Sequence, residues 1–163
     1  MASTLGAALK HYLETRGYGI PVFQDGAPVI THTRSNGEKY SKTVDPPYIV
    51  IQDEISVVPV PMGDFGDEYA DTCSRTLIQV DLFQLARQVT SSTRTVVAES
   101  RALTRSLRRD LRGTGIQPWA PVVVQGHKVN SSQRWPISDN IARTTFTVEV
   151  AHSDLDLPAP ATP

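Results

Sequence analysis

Five arginines carry the most suggestive spacing in this 163-residue chain. If the chain around them is helical, Arg94, Arg101, Arg105, Arg108 and Arg112 fall within one sector of about 60°. A line of cations on one helix face suits an acidic surface, either a neighbouring subunit or nucleic acid; a solvated face is the plainer alternative. The complementary residues lie earlier in the chain. Asp64, Asp67, Glu68 and Asp71 crowd one loop, with no base until Arg75. A chain with one basic and one acidic patch is suited to head-to-tail association, which closes into a ring where the rotation allows. These nine residues are therefore the expected subunit interface.

Catalytic arrangements are missing from the sequence. It has no G-x-S-x-G elbow, phosphate-binding glycine loop, dinucleotide fingerprint or H-E-x-x-H pair. His11, His32, His127 and His152 are scattered without metal-ligand spacing, and the acidic loop does not match a calcium-binding loop. Asp53 and Glu54 are neighbours, which in a strand face opposite sides and cannot share a substrate. The expectation is a non-enzyme with no cofactor, no metal and no catalytic residue; the minority reading is an enzyme with a site near His127 or His152. Lys and Arg total 16 against 17 Asp and Glu, so general nucleic-acid affinity is not implied. The single cysteine, Cys73, excludes an intrachain disulfide. With no signal peptide and no membrane-spanning run, a reducing cytoplasm is the expected site of synthesis.

The elements that must position these residues follow from periodicity. Leu5, Ala8, Leu9, Tyr12 and Leu13 form a helical stripe opened by Ser3 or Thr4 and ended by Gly17. Tyr48–Ser56, Thr76–Phe83, Val122–Val129 and Thr144–Ala151 read as strands. Val57–Thr72 reads as a long connection, since Pro59 and Pro61 disfavour a central strand. Thr90, Ser91 and Ser92 suit a helix start, and Val96, Leu103, Leu107 and Leu111 an apolar stripe. That predicts a helix of about 20 residues ending at Gly113. Val29–Thr33 and Lys39–Thr43 flank Arg34–Glu38, in which Asn36-Gly37 is the strongest short hairpin signal, since both residues tolerate positive φ. This polar hairpin should project as a partner-contact arm through Arg34, Asn36, Gly37, Glu38 and Lys39. Trp119 and Trp135 sit in connecting segments, with packing the expected role. The expected fold is α+β: about four strands, antiparallel or mixed, with a long helix and a short N-terminal helix on one face, plus the projecting hairpin. One domain spans 1–152, and 153–163 reads as a disordered tail rich in Pro and Ala.

The segments P-Y-I-V-I-Q at Pro47–Gln52 and T-L-I-Q-V-D-L-F at Thr76–Phe83, with the helix after them and the closing strand pair, resemble the tail terminator (tail completion) family of long-tailed bacteriophages. The resemblance covers nearly the whole domain. It rests on a pattern of strands and a helix rather than on catalytic residues. It implies a structural virion protein that forms a ring, in that family hexameric, at the head-proximal end of the tail tube. Such a ring stops tube polymerisation and joins the head connector. Its partners are then itself, the tube protein and the connector or neck protein, with DNA only a passing contact in the lumen and no membrane. A neighbouring neck or head-closure protein, and a nucleic-acid-binding module using the arginines, are the alternatives.

Overall fold

A computed structural model of the chain describes residues 4–59, 73–86, 89–91, 94–96, 100–119, 122–138 and 140–153. In chain order the elements are α1 (Leu5–Glu14), β1 (Val22–Gln24), β2 (Val29–Thr33), β3 (Lys39–Thr43), β4 (Tyr48–Pro59) and β5 (Cys73–Leu85). They continue with β6 (Val89–Ser91), β7 (Arg94–Val96), α2 (Ser100–Asp110), β8 (Gly113–Trp119), β9 (Val122–Arg134) and β10 (Ile141–Ser153). Six strands make one mixed sheet in the order β1-β4-β5-β10-β9-β8, while β2-β3 and β6-β7 form separate two-stranded ladders. Only β1 and β4 run parallel; the other neighbours in the main sheet are antiparallel.

Period-2 alternation assigns the faces. On β5, Thr76, Ile78, Val80, Leu82 and Gln84 are buried; on β10, Val150, Val148, Phe146 and Thr144 lie opposite the first four, and buried His152 continues the same face. Both helices cover this face. Leu5, Ala8, Leu9 and Leu13 of α1 and Leu107 of α2, with Leu111 just beyond it, complete the cluster. α1 packs on β1 and β4 at one edge and also meets β8 at the other, so the sheet curls around it. Thr4 caps α1 by accepting from Ala7 N at 3.2 Å, and Gly17 takes a φ of +74° beyond its end, as the sequence predicts.

A second contact ties the two helices together. Asp110, at the end of α2, is 4% exposed. Its Oδ2 accepts from Tyr18 Oη at 2.6 Å, and its Oδ1 accepts from Arg16 Nη2 and Arg109 Nε, both at 3.2 Å. Its carbonyl accepts from Tyr12 Oη at 3.1 Å. Burial pushes the carboxyl up, but the hydrogen bonds from Tyr18, Arg109 and Arg16 outweigh it and hold the pKa below the usual carboxylate value. Burial, then the same contact with Asp110, pushes the Tyr18 phenol up.

The expected fold class is overturned: the chain is mostly β, with two short helices and no long one among the described residues. The expected helix fails in its first half. Val89–Ser91 and Arg94–Val96 pair as antiparallel strands, and α2 is 11 residues long. Thr90, Thr95 and Val96 are β-branched, which disfavours helix and favours strand, and that local preference wins over the i, i+7 spacing of Val96 and Leu103. The count of four strands missed β1, three residues between breakers, and β8, whose Gly113, Gly115 and Pro118 read as loop. Both lie at sheet edges, where short strands and proline are tolerated. β4 also extends to Pro59, which lies opposite Ser74, after a register shift between Gln52 and Ser56. The arm has the expected bounds, Val29–Thr33 and Lys39–Thr43 on either side of Arg34–Glu38. Gly37 takes the positive φ, at +85°; Gly37 N donates to Arg34 O at 2.9 Å and Arg34 N to Glu38 O at 2.8 Å, so a left-handed glycine closes the connection. The acidic loop, including Asp64, Asp67, Glu68 and Asp71, and the tail from residue 154 lie outside the described residues.

Replacing Asp110 with Asn should destabilise the fold by about 1–3 kcal/mol, the range for a buried acceptor whose donors lose their partner. Because the folded pKa is depressed, the carboxylate's contribution is full above its ordinary value of 3.8 and is lost as pH falls through the lower folded value. Thermal unfolding of both chains from about pH 6 to about pH 3 should show the gap between them closing at the acid end. A gap that stays constant with pH contradicts this role.

Candidate functional site

The structure breaks the arginine line at its start. Arg94 lies in β7, off the helix. Arg101, Arg105 and Arg108 remain on α2, all exposed, and Arg112 is exposed just past its end. The surviving stripe points away from buried Leu107 and Leu111. No acidic partner to Arg101, Arg105, Arg108 or Arg112 occurs among the described residues. The arm residues sit where expected, at the tip of the β2-β3 ladder. Arg34 Nη1 meets Glu38 Oε2 at 3.1 Å, and the Arg34 guanidinium lies 5.1 Å from the Tyr40 ring centre. Asn36 Oδ1 accepts from Glu38 N at 3.0 Å. Gly37 and Lys39 are exposed with them, and every residue of β2 and β3 is exposed, including Val29 and Ile30.

Sequence reasoning missed a third feature, on the face of the sheet turned away from the helices. Asp81 lies in the middle of β5 yet is 1% exposed. Arg143 on β10 grips it in a fork: Nε to Oδ1 at 3.2 Å and Nη2 to Oδ2 at 3.1 Å. Thr145 Oγ1 donates to Oδ1 in a short hydrogen bond, and Gln79 Nε2 donates to Oδ2 at 2.9 Å. Gln52 Nε2 reaches Oδ2 from β4 at 3.4 Å. Trp135 Nε1 then donates to Thr145 Oγ1 at 2.8 Å, so the indole is anchored to the same node. The Arg143 guanidinium lies 5.0 Å from the Trp135 ring centre and 5.5 Å from that of Phe83. The aromatic row continues through Tyr48, stacked on Phe83 at 4.9 Å, to Phe23 at 5.9 Å.

Tyr48, Phe83 and Arg143 floor an open groove of about 450 Å3. One wall is the foot of the arm, Lys42–Pro46; the other is the β9–β10 connection, including Trp135, Pro136 and Ser138. Lys42 Nζ and Asp45 Oδ1 pair across the first wall at 2.5 Å, which raises the lysine pKa and lowers the aspartate's. Further along the face the surface is polar. Glu149 accepts from Asn130 Nδ2 at 3.0 Å and lies 3.6 Å from Arg75 Nε and Lys128 Nζ; the asparagine bond first, and both cations with it, lower its pKa. Trp135 is 42% exposed, packed on the Arg143 guanidinium on one side and open to the groove. A charge in the middle of an alternating strand was the visible signal for this site. Asp81 needed a cation across the sheet, and the register supplies Thr145 opposite it and Arg143 diagonally.

The two histidines nearest to a catalytic reading are core groups. His152 Nε2 meets Thr76 Oγ1 at 2.7 Å. His127 lies edge-on to Tyr12, 5.7 Å between ring centres, and burial lowers its pKa against a raising backbone contact at Leu111. No group of three metal-ligating side chains occurs among the described residues. No family model matches the chain, and no curated protein matches it.

Arg143→Lys keeps the charge but removes the planar fork and the stacking between Phe83 and Trp135. It should cost about 1–3 kcal/mol in denaturant unfolding, the scale of losing partners to a buried carboxylate. Trp135 emission should shift to the red as the indole loosens into water. Unchanged stability together with unchanged emission would show that the fork does not hold the groove.

Proposed function

We propose that the chain is a structural assembly protein that forms a ring with copies of itself, of the kind that terminates a long phage tail and joins it to the head. The arm carries this reading. An isolated two-stranded ladder is marginal in water. β2 and β3 expose both their faces, and Val29, Ile30 and Tyr40 project without cover from their own domain. Such a ladder suits a neighbour's surface, which would cover the side chains that its own domain leaves exposed. The resemblance of Pro47–Gln52 and Thr76–Phe83 supports the phage assignment, and these two segments lie on paired strands of the sheet. A neck or head-closure ring is the related alternative. A nucleic-acid module is favoured by one observation, the exposed Arg101, Arg105 and Arg108 on one helix face; its affinity would fall steeply with salt.

Electron microscopy of lysates in which this gene of the parent phage is disrupted tests the assignment. Overlong headless tubes are expected of a terminator, tails of normal length beside unjoined heads of a neck protein, and normal virions overturn both. In the purified chain, Ile30→Ser with Tyr40→Ser should leave stability within about 0.5 kcal/mol, as for exposed positions. Sedimentation should nevertheless show weaker self-association. Arg101→Glu with Arg105→Glu should weaken it too, and adding Asp67→Lys and Glu68→Lys should partly restore it. Each exposed pair contributes only about 0.2–1 kcal/mol, so the effect is on register and extent rather than on folding. A gel shift that forms at low salt and survives charge reversal would contradict phosphate tracking by the helix.

A further inference from the structure

We infer that the aromatic groove is the docking site for the proline-rich tail of a second copy of this chain; the inference rests on the self-assembly reading and specifies one of its contacts. The groove has the chemistry that proline-rich segments use. Tyr48, Phe83 and Trp135 line it with Pro46 and Pro136, and grooves of aromatic rings bind extended proline helices, which lose little entropy on docking. The chain itself supplies such a segment. Residues 154–163 read DLDLPAPATP, with Pro158, Pro160 and Pro163, and the last two form a P-x-x-P spacing.

Reach decides between the chain's own tail and a neighbour's. β10 begins at the groove with Ile141 and ends at Ser153, opposite Cys73 at the far end of the sheet. Its 13 residues span about 40 Å at ~3.3 Å per residue. Pro160, seven residues past Ser153, reaches at most about 25 Å even fully extended. The nearest groove residue on β10, Arg143, lies about 33 Å back from Ser153, so Pro158 and Pro160 cannot lie in their own groove, and the occupant is another copy. Tail of one subunit in groove of the next is a heterologous contact, which propagates head to tail and closes only as a ring.

The test uses the full chain and a synthetic peptide of residues 154–163. Peptide binding is followed by Trp135 emission and calorimetry, and assembly by sedimentation. The peptide should bind saturably, and Trp135→Ala should weaken it about tenfold or more, as for loss of an aromatic anchor. A full chain carrying Pro158→Gly, Pro160→Gly and Pro163→Gly leaves the described fold untouched, should assemble less well, and should still accept the wild-type peptide. No saturable binding, or binding indifferent to Trp135→Ala, overturns the inference. Assembly of the tail variant equal to that of the native chain also overturns it, while leaving the ring reading intact. A native chain that stays monomeric at every concentration removes the ring reading itself, and the inference with it.

Discussion

Asp81 is the constraint around which the outer face is built. A carboxylate taken out of water in a central strand must be met by donors from its neighbours, or the strand register that buries it is not viable. β10 supplies Arg143 and Thr145, β5 itself supplies Gln79, and β4 supplies Gln52. One acid thus checks the register of three strands, since a one-residue slip would carry Arg143 and Thr145 to the helix-covered face. The same fork fixes the guanidinium as a flat plate. Phe83 and Trp135 pack against it, and the aromatic row becomes rigid enough to present a shaped surface.

A different acid secures the opposite face. Asp110 joins the end of α2 to Tyr12, Arg16 and Tyr18 around the end of α1, two segments about ninety residues apart that the sheet alone would leave side by side. Its partners differ in kind from those of Asp81. Arg16 and Arg109 are 44% and 74% exposed, so their ion pairs are screened and add little; the half-buried phenol of Tyr18 carries most of the specificity. The two acids divide the labour: one locks the helices onto the core, the other organises the surface that faces outward.

What was legible in the sequence was what a short window encodes. The α1 stripe with Thr4 as its cap, the alternation of Ile78, Val80 and Leu82, the arm, and the closing strand all follow from local period and turn chemistry. The failures came where local signals conflicted or where the answer was non-local. Val89–Val96 carries helical spacing on strand-forming residues, and the strand formers prevailed. β1 and β8 are strands because a neighbour holds them at an edge, which no window of glycine and proline reveals. The groove is the plainest case. Tyr48, Phe83, Trp135 and Arg143 come from four separate places, and only the register of β4, β5 and β10 brings them together.

The groove and the arm are not independent surfaces. Lys42 and Thr43 end β3, and Val44–Pro46 carry the chain from the arm into β4, so the foot of the arm is also a wall of the groove. Val44 N still donates to Pro28 O at 3.1 Å, which extends the arm's ladder down to that wall. Any partner that orders the arm therefore also sets the width of the groove, and any ligand in the groove stiffens the arm's root. Coupling of this kind is reciprocal in free energy. In the proposed ring, a contact made at the arm would act on the groove through this shared segment, and a contact made at the groove would act on the arm.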